Sequence, residues 1–277
     1  MSLFIASLNS GSNGNCYYAG NDNEAILIDA GISCRETEKR MKRLELSMKK
    51  VKAVFISHEH IDHIKGIQTL SQKYQLPVYI TEGTHKASGI YLQKDLIFSF
   101  KKNKPVHIGN LSVTPFSKFH DAENPHSFIV SCNNINVGIF TDIGFACKDV
   151  IKQFTRCHAA FLESNYDEHM LMNGSYPVHL KNRISNGNGH LSNKQALELF
   201  RLHRPPFMSH LLLSHLSHNN NTPEIVHQLF SKYAGKTKIV IASRKEETPV
   251  YHITGSTLLK TTLKPPAKEK HIQLSLF

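Results

Sequence analysis

From Ser57 the chain reads Ser-His-Glu-His-Ile-Asp-His, with three imidazoles and two carboxylates within the six residues that end at His63. Imidazole nitrogen and carboxylate oxygen are donors that suit Zn²⁺ and also Mn²⁺, so a cluster this dense points to metal binding. It directly follows an apolar run, residues 51–56, that reads as a buried strand. In extended chain, residues two apart project to the same side, so His58 and His60 can approach one ion from the strand end. Ile64, Ile67 and Leu70 behind them have the spacing of a helix face. A turn into that helix swings Asp62 and His63 towards a second ion beside the first.

The stretch resembles the His-x-His-x-Asp-His signature of the metallo-β-lactamase-fold hydrolases. The resemblance implies an α/β fold, an αββα sandwich of two mixed β-sheets flanked by helices. It also implies two divalent metal ions, Zn or Mn, and assigns roles to later strand ends. Asp29, closing the run Ile26-Leu27-Ile28, supports the metal loop from behind; the alternative is a turn-forming aspartate. His120 follows a strand and completes the first ion with His58 and His60, with His126 as a competitor. Asp142, at the end of another apolar strand, bridges both ions. His215, after the strand at residues 208–214, joins Asp62 and His63 on the second ion, with His218 as a competitor.

Other residues suit phosphodiester chemistry. In the loop Asn9-Ser10-Gly11-Ser12-Asn13-Gly14-Asn15, small residues let backbone N–H groups come close to an anion, with Ser12, Asn13 and Asn15 as candidate phosphate contacts. A tight hairpin connection explains the same composition. His190 lies in a glycine-flanked loop and can protonate a leaving oxygen, oriented by Glu163, with Asp62 also at the reacting centre. Lys181 or Arg183 can hold a flanking phosphate. The loop at residues 11–15, Glu163-Ser-Asn-Tyr-Asp, Gly189-His-Leu-Ser-Asn and His215-Leu-Ser with Asn219-Asn220-Asn221 are similar to the YycJ/WalJ-like branch, relatives of the tRNA 3′-processing endonucleases. The similarity runs over roughly residues 1–260. No inserted cap domain of the β-CASP kind is recognisable, which disfavours an RNA-processing role of that type.

The elements that must position these residues alternate along the chain. Strands are expected at residues 4–8, 16–19 and 24–29, then a helix capped by Ser33 with Glu36 three residues on, a capping-box spacing. After the metal loop come a helix to about Tyr74, a strand at 77–80, and a helix within 84–93. Strands at 106–108, 111–116, 127–132, 135–141 and 159–162 follow, then a helix at 194–203 and another started by Thr222-Pro223. At 277 residues the chain can bury one sizeable core, and residues 1–260 are expected to form a single hydrolase domain.

Five cysteines without a Cys-x-x-Cys pair argue against a disulfide framework or a thiolate zinc site. The first residues lack a basic segment and a long apolar one, and no run of about 18 apolar residues occurs, so a cytoplasmic location without membrane contact is expected. A formal charge of +11 favours a polyanionic partner, DNA above others. Residues 261–277 read as a flexible basic tail ending in Gln273-Leu274-Ser275-Leu276-Phe277, which resembles the sliding-clamp-binding pentapeptide of bacterial replication and repair proteins. A last element packed on its own domain is the alternative. Together these features indicate a dinuclear metal-dependent phosphodiesterase, an exonuclease acting on DNA in replication or repair. Rivals are a small-molecule thioester or lactone hydrolase of the same fold and a non-catalytic clamp-associated DNA-binding protein. A β-lactamase is disfavoured by the missing signal peptide.

Overall fold

The computed structural model describes residues 2–255; the clamp-like pentapeptide lies outside them. Six strands open the chain: β1 (Leu3–Asn9), β2 (Cys16–Gly20), β3 (Ala25–Ile28), β4 (Val51–Phe55), β5 (Val78–Tyr79) and β6 (Ile97–Phe98). Seven more follow: β7 (Val106–Ile108), β8 (Leu111–Ser117), β9 (His126–Cys132), β10 (Ile135–Phe140), β11 (Ala159–Glu163), β12 (His210–Ser214) and β13 (Lys238–Ile241). The last, β14 (Tyr251–Ile253), pairs antiparallel with β1. Two mixed sheets of seven strands result, ordered β14-β1-β2-β3-β4-β5-β6 and β13-β12-β11-β10-β9-β8-β7.

Side-chain alternation divides the apolar residues into three layers. Ile26 and Ile28 of β3 face inward with Tyr17, Phe55, Phe128, Phe161 and Leu212, filling the space between the sheets. Leu27 faces the other way, with Val54 and Ile56, beneath α1 (Cys34–Arg43) and α3 (Ile67–Tyr74). Phe140, Leu162 and Leu213 lie on the outer face of the second sheet. Residues of α5 (Lys148–Phe154), α8 (Asn193–His203) and α9 (Pro223–Ser231) cover them. The expected αββα sandwich is the observed one. Ser33 caps α1 as expected, and Thr222 with Pro223 opens α9.

Some elements depart from the sequence reading. The helix expected within residues 84–93 is α4 (Glu82–Ser88), capped by Thr81 and ended by Gly89 at φ +61°, so it starts and stops earlier. The strands β6, β13 and β14 and the helices α5, α6 (Glu168–Asn173) and α7 (Val178–Ser185) were not expected. They are short, and α7 has no buried side chain to produce a core-facing pattern.

The turn after β3 locks the metal loop to the sheet. Ala30 N–H donates to His63 O (2.8 Å), Gly66 N–H to Ala30 O (2.8 Å) and Asn15 N–H to Asp62 O (2.7 Å). The loop enters α2 (Ile61–Ile64) only because residue 31 lacks a side chain: a Cβ there would stand 1.7 Å from Asp62 O. Gly31→Ala is therefore expected to destabilise the protein by about 1–3 kcal/mol or more, the usual cost of overpacking against backbone. Gly89→Ala, with a left-handed φ but open space around it, should cost only about 1 kcal/mol. Urea unfolding of the two variants checks the order; equal midpoints would contradict it.

Candidate active site

Strand ends from both sheets meet at one edge of the sandwich. The loop after β4 carries His58, His60, Asp62 and His63; the loop after β8 carries His120; Asp142 follows β10 and His215 follows β12. Asp29, Asp142 and His215 all adopt left-handed backbone, with φ of +61°, +54° and +53°. A side chain disfavours that conformation, and its occurrence at three strand ends converging on one site marks strain held in place by surrounding structure.

One carboxylate fixes the back of the loop. Asp29 Oδ1 accepts Ser57 N–H (2.8 Å), and Oδ2 accepts both the Ser57 hydroxyl (2.9 Å) and His63 Nδ1–H (2.7 Å). Ser57 Oγ, its proton given to Asp29, accepts from His58 Nδ1–H at 2.8 Å. His120 Nδ1–H donates to Gly189 O (2.9 Å) and His60 Nε2–H to Asp121 O (3.2 Å). Each of these rings thus commits one nitrogen outward, and the network assigns a lone pair to the other.

Those lone pairs converge. His60 Nδ1 lies 3.1 Å from His58 Nε2 and 3.3 Å from His120 Nε2. Burial holds both His58 and His120 below the ordinary imidazole pKa, His120 at about 2, so neither carries a second proton on the nitrogen that faces the others. Three nitrogen lone pairs facing one point repel unless a cation stands among them.

A second group adjoins the first. Asp62, His63 and His215 offer ligand atoms all within 4.8 Å of one another, as do His58, His63 and Asp142. Asp142 stands between the groups, with Oδ2 3.2 Å from His63 Nε2 and Oδ1 3.2 Å from His215 Nδ1 and 3.9 Å from His120 Nε2. Burial resists the charge on Asp142, but the His215 and His63 rings hold its pKa well below the usual carboxylate value. Burial also resists ionisation of Asp62, whose pKa the His63 ring keeps down at about 2. Despite those neighbours, Asp142 Oδ2 and His215 Nδ1 are buried without a hydrogen-bond partner. Orphaned acceptors beside converged lone pairs fit divalent cations. His126 and His218 belong to none of these groups among the described residues.

Glu163 connects this site to His190. Its Oε1 accepts from His190 Nδ1–H at 2.6 Å, and its Oε2 accepts Ile143 N–H at 2.7 Å. Burial opposes a charge on His190, but Glu163 outweighs it and lifts the pKa to about 8. His190 lines a cavity of about 340 Å³ with Ser12, His60, Asp62, Asp142, Arg183 and His215.

The proposed phosphate contacts divide. Ser12 is on the cavity wall, as is Arg183, whose Nε donates to Asp121 Oδ2 at 2.5 Å. Asn15 requires a correction: it is fully buried, and its amide lies against Asp62 Oδ2 (3.1 Å) and His63 Nε2 (3.1 Å), so it braces the metal loop and cannot meet a phosphate. Asn13 donates to Arg244 O (3.0 Å), and Lys181 caps Met172 O (2.7 Å) and does not line the cavity. Sequence reasoning missed Lys118, a buried lysine whose Nζ donates to Thr141 O (2.8 Å), the carbonyl before Asp142. A lysine just past a strand end ordinarily reads as solvent-facing, so nothing flagged it.

Replacing Asp29 by Asn keeps the shape but turns an acceptor into a donor against Ser57 or His63. Asp29→Asn is expected to lower divalent-metal affinity by about 10–100-fold with an unchanged circular dichroism spectrum. Competition against a chromophoric chelator measures this; unaltered affinity would remove Asp29 from the support of the site.

Comparison with known proteins agrees with this geometry. A family model described as a beta-lactamase superfamily domain matches residues 24–215. The chain is similar to the exodeoxyribonuclease YycJ of Bacillus anthracis, 35% identical over 237 residues that cover 84% of this chain and 89% of that one. It is 30% identical to the exodeoxyribonuclease WalJ of Streptococcus pneumoniae over 227 residues, 79% of this chain and 84% of the relative. The crystal structure of Zn²⁺-bound PqqB from Methylobacterium extorquens shares the fold, with a TM-score of 0.71 at 12% identity, covering 88% of this chain and 99% of that one. The sequence match, the two seven-stranded sheets and the histidine–aspartate edge converge: the chain belongs to the metallo-β-lactamase-fold hydrolases, in the branch of YycJ and WalJ.

Proposed function

We propose that this protein is a dinuclear metal-dependent exonuclease that hydrolyses DNA phosphodiesters, with residues 1–260 as the hydrolase domain. The observation that carries the metal chemistry is the convergence of the His58, His60 and His120 lone pairs beside the unpartnered carboxylate oxygen of Asp142. DNA as substrate is supported by the similarity to two exodeoxyribonucleases and by the formal charge of +11.

In this reading His58, His60 and His120 would hold one ion, Zn²⁺ or Mn²⁺, Asp62, His63 and His215 the other, and Asp142 both. When bound, the ions supply Lewis-acid chemistry, making a water nucleophilic near neutral pH and offsetting charge that develops at phosphorus. The chain's residues do the rest. His190, its Nδ1 held by Glu163 and its residue on the cavity lining, gives a proton to the departing oxygen. His190 also lies within ligand distance of Asp142 and His215, but its hydrogen bond to Glu163 favours the proton-transfer role. Ser12 and Arg183, on the cavity wall, hold the strand on either side of the reacting phosphate.

Hydrolysis of 5′-labelled DNA by metal-reconstituted protein tests this. Metal-dependent products are expected from the wild type and none from Asp142→Ala. His190→Ala should retain its bound metal and lose about 10²–10⁴-fold in kcat. Turnover of thioesters or lactones without any DNA cleavage would overturn the nuclease reading.

The pentapeptide Gln273-Leu274-Ser275-Leu276-Phe277 would dock the enzyme on the DNA polymerase sliding clamp in the cytoplasm and so place it at replication or repair. Among the described residues no helix is long and apolar enough to cross a membrane. Deleting the five residues should abolish co-purification with an immobilised clamp and leave hydrolysis of free oligonucleotide unchanged. Undiminished capture would contradict clamp docking.

A further inference from the structure

A second cavity, of about 530 Å³, adjoins the catalytic one. Ser217 lines both, and just before it His215 lines the first and Leu216 the second, so the two cavities meet at the turn after β12. The loop after β13 contributes Arg244 and Lys245 to the second lining.

That loop is stitched to the beginning of the chain. Ser10 N–H donates to Ser243 O (3.1 Å), Asn13 Nδ2 to Arg244 O (3.0 Å) and Arg40 Nη2 to Lys245 O (2.9 Å). Gly11, at φ +140°, leaves room for the arginine stem: a Cβ there would stand 3.3 Å from Arg244 Cβ. The backbone of Arg244 is therefore held against the loop that carries Ser12.

The charge of Arg244 has no counterpart. Arg40, Arg43 and Arg183 each meet a carboxylate, whereas among the described residues Arg244 is ion-paired with none. Its Nη2 reaches only the Ser12 hydroxyl, at 3.3 Å, and its Nη1 is buried without a hydrogen-bond partner. A guanidinium nitrogen that is out of water and unbonded is costly, and folded proteins keep few such groups. Glu224 and Glu246 share the cavity lining, but both are exposed, where solvent screens them.

We infer that Arg244 holds a backbone phosphate of the DNA strand next to the one being hydrolysed, so that the substrate runs from the catalytic cavity past Ser12 and Ser217 into the second cavity. The inference rests on the nuclease reading above and extends its substrate contacts. Ser12 lines the catalytic cavity and bonds Arg244, so it marks the crossing. An anion at Arg244 compensates the guanidinium and gives Nη1 the acceptor it lacks, in the paired geometry that suits a phosphate. Lys245, exposed on the same lining, adds to the positive field. A nucleic-acid strand brings such an anion with every linkage, whereas a lactone brings none.

The test is a cycle between the side chain and single phosphates. Metal-reconstituted wild type, Arg244→Met and Arg244→Lys are assayed on end-labelled DNA in which one methylphosphonate, a linkage without charge, is moved stepwise inward from either end. Arg244→Met keeps the stem beside Gly11 and removes the charged head. On unmodified DNA it should lose about tenfold in kcat/KM, mostly through KM, and the slope of log kcat/KM against log salt should fall by about one. The wild type should lose a similar factor when one particular linkage other than the cleaved one is neutral, and Arg244→Met should show no further loss at that linkage. Arg244→Lys, which keeps the charge without the paired geometry, should recover part of the loss.

The side chain makes a single hydrogen bond, so folding should survive its replacement; retained circular dichroism and metal content check that. Should Arg244→Met lose metal, Arg244→Gln provides the same cycle. Wild-type kcat/KM in the variant on unmodified DNA would overturn the inference, as would methylphosphonate losses of the same size at the same linkages in both proteins. A variant that cleaves DNA normally and loses only its inhibition by inorganic phosphate would give the site to the free anion and overturn it too. Absence of DNA cleavage by the wild type would remove the nuclease reading and the inference with it; the other contrary outcomes, with cleavage intact, remove the inference alone.

Discussion

The carboxylate of Asp142 is buried, charged and short of partners, and the rest of the site is arranged around holding it there. Its peptide neighbourhood is pinned on both sides. Lys118 Nζ holds Thr141 O at 2.8 Å, Glu163 Oε2 holds Ile143 N–H at 2.7 Å, and Phe119 O holds Gly144 N–H at 2.7 Å. These three bonds hold the aspartate in a left-handed backbone conformation that side chains populate sparsely. Burying a carboxylate is costly unless positive charge meets it, and the groups within reach are the His63 ring, whose Nδ1 is committed to Asp29, and the His215 ring, whose Nδ1 has no hydrogen-bond partner. Divalent cations resolve the mismatch.

The two sheets divide the labour. The first contributes a preformed histidine loop, braced by Asp29 and Asn15 through seven hydrogen-bonding contacts that leave ring orientation little freedom. The second contributes single residues, His120, Asp142 and His215, each at the end of its own strand. Glu163 links two parts of the site, because one oxygen steadies the turn beside Asp142 and the other holds His190. A disturbance at Glu163 therefore reaches both Asp142 and His190. Leu180, Arg183 and Ile184 of α7, a short surface helix, line the cavity.

Much of this was legible from residue order. An apolar strand followed by alternating histidines points to a metal loop, with a solvated histidine-rich loop as the alternative, and Asp142 and His215 stand out at strand ends while the resemblance supplies their roles. The sandwich was legible because β3, β4, β8 to β12 and the capped helices α1 and α9 carry strong local patterns. Long-range chemistry was not. Lys118 looks like an ordinary surface lysine until Thr141 O is found 2.8 Å from its ammonium. Asn15 sits in a glycine- and serine-rich loop that suggested an anion cradle, yet the close approach of Gly31 to Asp62 draws it behind the metal loop. The helix α7 left no core-facing pattern because the surface it faces is a cavity.

Anomalous diffraction from crystals grown with Zn²⁺ or Mn²⁺ tests the central claim, a two-ion site organised by Asp142, most directly. Two peaks are predicted, one among His58, His60 and His120 and one among Asp62, His63 and His215, with Asp142 touching both. A single peak, or two peaks of which neither contacts Asp142, would contradict it.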